Sequence, residues 1–192
     1  LNQERVLNFY NQRRRQLVNV EPNEAHKLLA KLENSYNVTH ITQNVTNLLE
    51  KAGCSNVIHL HGELMKSCSE DKTLVYNLES ADSDIKLGDL AEDGSQLRPF
   101  IVWFGESVPL MVDAMDAVNN ADIFVIIGTS LQVYPAANLI YEFKEKTPVY
   151  VIDPALINDD IYYYINGETI SFQHIQKKAI EGVTELYKML TE

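Results

Sequence analysis

Three short polar stretches in this chain, each placed where a strand should end, carry residue types that could do chemistry. Thr42, Gln43 and Asn44 stand between a short alternating stretch, Val38 to Ile41, and a run at helical spacing, Val45, Leu48, Leu49 and Ala52, that Gly53 stops. An amide donates and accepts at once, which suits ligand hydroxyls. "NVIHLHG" is a short, buried-looking strand ending in Gly62, with His61 just before the glycine, and imidazole titrates near neutrality, as a general base requires. "DIFVIIGTS" is an almost wholly apolar strand that ends in Gly128, Thr129 and Ser130. Glycine there lets backbone approach a ligand, and two hydroxyls offer donors to phosphate or ribose. Each stretch alone has a plainer reading, a turn or a packed histidine. Three polar strand ends in one parallel sheet outweigh any one of them, because ligands of open parallel sheets lie beyond the carboxyl ends of the strands. A fourth stretch, "NFYNQRRRQL", puts Tyr10 and Arg13 on one helical face. By itself it reads as a solvated basic surface, since Arg14 and Arg15 follow directly.

The elements that must position these residues alternate. "PNEAHKLLAKLENS" is a helix with Ala25, Leu28, Leu29 and Leu32 on one face, and Val108 to Val118 and "YPAANLIYEFKEK" are further helices. "PFIVWFGE" and "PVYVID" have strand composition, and Ile175 to Leu190 closes the chain as an amphipathic helix. Strands apolar on both faces, alternating with helices, predict an α/β fold with a parallel sheet covered on both sides. Residues 63 to 98 are polar and weakly periodic, and read as a surface insert or small module.

At 192 residues the chain can bury one substantial core. A net charge of -11 argues against a nucleic-acid partner, and no apolar run is long enough to span a bilayer. The two cysteines, Cys54 and Cys68, make no disulfide framework and fit a reducing compartment, so a cytoplasmic protein is expected. Asn37-Val38-Thr39 and Asn44-Val45-Thr46 match the glycosylation sequon, which carries no weight without secretion.

"ITQNVTNLLEKAG", "VIHLHGEL", "QLRPFIVWFGE", "ADIFVIIGTSLQVYPAA" and "VYVIDP" follow one another as they do in sirtuins, the NAD-dependent protein-lysine deacylases. The resemblance runs from about Leu1 to the last helix. It implies a Rossmann-like NAD-binding domain over residues 1–62 and 99–192, with residues 63–98 as the small module. In that family the acyl oxygen of a substrate lysine attacks the ribose carbon that carries nicotinamide, and a histidine base then helps a ribose hydroxyl to attack. Free lysine, nicotinamide and acylated ADP-ribose result. His61 resembles that base. The other histidines, His26, His40, His59 and His174, are read as surface or packing residues.

The same resemblance implies that Gln43, Asn44, Val45 and Thr46 lie along the nicotinamide and its ribose. It places Gly128, Thr129 and Ser130 on the adenosine side, Asp153 at the adenine ribose and Ala179 at adenine. As plainer readings, Asp153 is a turn cap and Ala179 ordinary helix packing. Tyr10 and Arg13 resemble the pair with which one sirtuin class holds succinyl and malonyl groups, the guanidinium clamping the distal carboxylate. Val102, Phe104 and Val133 resemble the cleft that takes acyl-lysine proteins or peptides by strand addition. Trp103 and Phe104 read equally as core.

Three departures qualify the likeness. Sirtuins normally carry two CxxC pairs holding zinc, whereas Cys68 has no cysteine near it, so no metal is expected. Thr46 stands where the family has an aspartate that contacts the nicotinamide carboxamide, and Leu49 replaces a usual histidine. The glycine-rich pyrophosphate loop and the first strand belong before Leu1, which favours a truncated chain. Thr46 and the missing loop leave a second reading, a catalytically weakened module that binds NAD or ADP-ribose for regulation.

Overall fold

The computed structural model describes residues 2–129, 133–144, 146–155 and 172–192. The chain opens with α1 (Gln3–Gln16), started by Asn2, whose side chain accepts a hydrogen bond from the Arg5 N–H. Its buried face is Leu7, Asn11 and Arg14, continued by Leu17 in a short 3-10 turn. In α2 (Glu24–Leu32) the side chain of Asn23 and that of His26 cap each other's backbone. β1 (His40–Thr42), α3 (Leu48–Ala52) and β2 (Val57–His59) follow, and Gly53 ends α3 in the left-handed conformation. Next come β3 (Gly62–Cys68), β4 (Val75–Asn77), β5 (Arg98–Ile101) and α4 (Met111–Asn119). The last elements are β6 (Phe124–Ile127), a 3-10 segment (Ala136–Tyr141), β7 (Val149–Ile152), β8 (Phe172–Ile175) and α5 (Ala179–Thr191).

Among the described residues the strands form three sheets: parallel β1-β2, antiparallel β4-β3-β5 and parallel β6-β7-β8. The β6-β7-β8 sheet is covered on both sides, as the wholly apolar strands predict. Val125, Ile127, Tyr150 and Ile152 face α2 and α5, packing with Ala25, Leu28, Val183 and Leu186. Ile126, Val149 and Val151 face the other way, against Ile140 of the 3-10 segment. Val183 and Leu186 are fully buried, and each contributes about 1.5–3 kcal/mol relative to an exposed side chain. A second core under α4 joins Leu60, Ala114, Val118 and Leu139. A third, with Leu17, Leu64 and Ile101, seats α1 on the antiparallel sheet.

Several expected elements shift. The first strand starts at His40 rather than Val38, and the helix after it holds only Leu48–Ala52, leaving Val45 in the loop. Gly62 begins β3 instead of closing β2, so part of the polar insert is a well-buried strand containing Leu64, Ser67 and Cys68. That glycine has φ +83, and a Cβ on it would lie 2.1 Å from the Phe100 carbonyl oxygen, so only glycine lets β3 and β5 close beside His61. The helix expected from Val108 begins at Met111, and "YPAANLIYEFKEK" keeps only one 3-10 segment. Ile175 belongs to β8, and the closing helix starts at Ala179.

Candidate functional site

The strand ends converge. His61 stands two residues past the end of β2, and its Nδ1 donates to the Gln43 carbonyl oxygen at 3.1 Å. That bond fixes the tautomer and leaves the Nε2 lone pair available to take a proton. The Gln43 amide nitrogen reaches Thr129 Oγ1 at 3.5 Å, which joins the end of β1 to the end of β6. Gly128 N–H donates to the Ile152 carbonyl, so Gly128 and Asp153 end neighbouring parallel strands. Among the described residues nothing lies within 4 Å of where a Cβ on Gly128 would stand, so none of them covers the backbone there. An amide, a hydroxyl and open backbone at the carboxyl ends of parallel strands form a donor and acceptor set that fits ribose hydroxyls and phosphate oxygens.

Backbone ties hold the loop after β1. Thr42 Oγ1 accepts from Asn44 N–H at 3.1 Å, and Val45 O accepts from Leu64 N–H at 2.9 Å. Asn44 is exposed, and Val45 and Thr46 are half-buried. Asp153 Oδ1 accepts from Ala155 N–H at 2.8 Å, the turn-capping bond of its plainer reading, while its carbonyl takes a bond from His174 Nε2. Ala179 is the exposed first residue of α5. Ser130 lies outside the described residues.

On the opposite side, the segment after β5 is bound to the histidine: Val102 N–H donates to His61 O at 2.9 Å. Trp103 Nε1 donates to the Tyr10 hydroxyl at 2.8 Å, with the two rings 6.3 Å apart. Tyr10 is thus linked to His61 through two adjacent residues. Arg13 is exposed one turn further along α1, its guanidinium 5.2 Å over the Phe9 ring and 3.4 Å from Gln16 Oε1. Phe104 is 99% exposed and Val133 38%, so Phe104 is not core.

The buried arginine of α1 is its neighbour Arg14. It donates to the carbonyls of Leu64 and Ser83, both at 2.7 Å, and to Asn11 Oδ1. Asn11 in turn bonds the backbone of Ile85 in both directions. Burial lowers the Arg14 pKa, with Asp84 opposing. This network was missed, although Leu7, Asn11, Arg14 and Leu17 recur at the spacing of one helical face.

Also missed was a clasp below the cleft segment. Glu106 receives Arg98 Nη1 at 2.7 Å, Lys72 Nζ at 3.1 Å and the Trp103 N–H at 2.8 Å. Arg98 also stacks 3.6 Å over the Trp103 ring. Burial alone would raise the Glu106 pKa, but the bonds from Arg98, Trp103 and Lys72 bring it down to about 2.

The other histidines are anchored: His26 in the α2 cap, His40 on Glu33, His59 between Asn44 and Glu50, and His174 on Asp153. Cys68 is fully buried against Pro99 O, and desolvation pushes its thiol up to about 11, far from a metal-binding thiolate. Two groups of metal-type side chains occur among the described residues, Glu33 with His40 and Cys54, and Glu50 with His59 and Glu63. Cys68 belongs to neither. In the first Glu33 is already bonded by Ser55 and His40, and in the second Glu63 is paired with Lys66. No helix among the described residues is long and apolar enough to cross a membrane.

The chain is similar to known proteins. A family model described as the Sir2 family matches residues 1–135. A Bacteroides thetaiotaomicron protein named NAD-dependent protein deacylase is 50% identical over 189 residues, 96% of this chain and 78% of that protein. A Helicobacter pylori protein of the same name is 50% identical over 192 residues, all of this chain and 80% of its own length. Among solved structures, a Sir2 homologue in complex with NAD superposes with TM-score 0.82 at 34% identity, covering 98% of this chain and 72% of the other.

Proposed function

The chain belongs to the Sir2 family, with that family's Rossmann-like α/β fold, and from this premise we propose that it is an NAD-dependent protein-lysine deacylase acting on acidic acyl groups. The observation that carries the reading is the convergence of His61, Gln43 and Thr129 at the ends of β2, β1 and β6. Bound NAD would supply a ribose carbon bearing a good leaving group, ready to accept the acyl oxygen. Gln43, Asn44, Val45 and Thr46 would hold its nicotinamide end, and Gly128, Thr129, Ser130, Asp153 and Ala179 its adenosine end. His61, donating through Nδ1, would receive a ribose hydroxyl proton on Nε2, and a base placed in this way is worth about 10²–10⁴ in rate. Val102, Phe104 and Val133 would line the place of an extended acyl-lysine peptide. We place the NAD domain at residues 1–62 and 99–192 and the small module at 63–98, without zinc.

For the acyl group, the support is the tie from Tyr10 through Trp103 to the segment bonded to His61. Arg13 stands on the same helix, its guanidinium exposed and, among the described residues, held by Phe9 and Gln16, so it can turn to a distal carboxylate at small cost. The test is Arg13→Met assayed on succinyl-, malonyl- and acetyl-lysine forms of one peptide. Charge-assisted bonds are worth about 1.5–3 kcal/mol, so kcat/KM on the acidic acyl groups should fall at least tenfold while deacetylation is unchanged or improved. Equal losses on all three peptides would show that Arg13 has no part in acyl selection.

A further inference from the structure

Four consecutive carbonyls, those of Thr42, Gln43, Asn44 and Val45, are each taken by a donor from residues 59–64. Leu60 N–H donates to Thr42 O at 3.0 Å and Leu64 N–H to Val45 O at 2.9 Å. The two middle carbonyls lie beyond the end of β1, and side chains hold them: His61 Nδ1 on Gln43 O and His59 Nδ1 on Asn44 O, both at 3.1 Å. The histidines of "HLHG" thus act on adjacent peptide groups. His59 is 4% exposed, and its bond to Asn44 runs from this buried ring to the exposed loop. On its other side Nε2 meets Glu50 Oε1 at 2.7 Å, which fixes the ring's orientation from α3.

We propose that His59, oriented by Glu50, is a positioning residue that sets the backbone of the Gln43–Asn44 loop and thereby its grip on the dinucleotide. The proposal rests on the reading of residues 43–46 as the NAD-contacting loop. Without the His59 donor, the Asn44 carbonyl loses the part-buried bond that fixes its orientation, and the loop is free to take other backbone conformations. Affinity for the cofactor suffers, because Gln43 and Asn44 then no longer present their amides in one geometry. The chemical step suffers less, since His61 keeps its own bond to Gln43.

The imidazole nitrogens can be tested separately. The amide nitrogen of an asparagine at position 59 is attached where Nδ1 is and can still donate to Asn44 O, whereas that of a glutamine reaches toward Glu50. The full-length protein is measured as wild type, His59→Asn, His59→Gln, His59→Leu and Glu50→Gln. The readouts are ADP-ribose affinity by calorimetry, KM for NAD and kcat at saturating NAD, with melting temperature recorded alongside. We expect His59→Leu and His59→Gln to weaken ADP-ribose binding and raise KM about tenfold, the equivalent of one lost hydrogen bond. Their kcat should stay within about threefold, His59→Asn should bind within about twofold of wild type, and Glu50→Gln should fall between. Wild-type affinity in His59→Leu, or equal affinity of His59→Asn and His59→Gln, overturns the proposal. The second comparison holds even if the leucine variant does not fold. Wild-type protein that binds no ADP-ribose would instead refute the NAD reading itself.

Discussion

Glu106→Gln should uncouple the cleft segment from the sheet beneath it. The carboxylate gathers Arg98, Lys72 and the Trp103 N–H, and the side chains of the three charged residues are 11%, 10% and 24% exposed for Arg98, Lys72 and Glu106. Neutralising the acid leaves two poorly solvated cations facing each other, with Arg98 Nε already buried and unbonded. A carboxyl lowered from 4.5 to about 2 contributes about 3 kcal/mol near neutral pH, an upper figure because a quarter of the side chain meets water. For a chain of 192 residues that is a fall of about 6–12 °C in Tm. Because the folded pKa is the lower one, this stability is complete above the unfolded value of 4.5 and is lost as pH falls toward 2. Urea unfolding of wild type and Glu106→Gln, followed by fluorescence of the single Trp103, should show a gap at pH 7 that narrows from pH 5 down to pH 3. A gap that is absent at pH 7, or that does not change with pH, would refute this account of the clasp.

Thr46→Asp should tighten nicotinamide inhibition and speed nicotinamide-dependent steps, since a carboxylate accepts from a carboxamide NH₂ more strongly than a hydroxyl does. Unchanged turnover and inhibition would make Thr46 a neutral replacement, and lower activity would show that the site is built around the hydroxyl. Chelators should leave the melting temperature of the purified protein unchanged, with the small module held by Arg14 and Asn11 instead of a metal; stoichiometric zinc and melting on chelation would contradict this.

The sequence made the parts of the site legible wherever one residue type has one use. The apolar runs of β6 and β7 declared a sheet buried on both faces, and the spacing of Ala25, Leu28, Leu29 and Leu32 declared α2. His61 and Gln43 each had a plainer reading alone, and stood out because several polar strand ends occur together and resemble the motifs of one family. Polar residues that are buried were the failures. Glu63 and Ser67 of β3 and Ser69 just after it made this stretch look like a surface insert, yet Ser67 and Ser69 are 2% and 0% exposed. Arg14 was hidden inside a basic run, where only its spacing from Leu7 and Leu17 separates it from exposed Arg13 and Arg15. His59 and Glu50 could not be paired from sequence at all, since a strand and a helix must first be folded against each other for the two side chains to meet.

The central claim is that His61 is the base of an NAD-dependent deacylase. It is tested most directly by following nicotinamide release from NAD with a succinyl-lysine peptide, in wild type and in His61→Ala at matched ADP-ribose affinity. Peptide-dependent release by wild type, reduced about 10²–10⁴-fold in the variant, is the expected result. Equal release by both proteins, or none from wild type while ADP-ribose still binds, would contradict it.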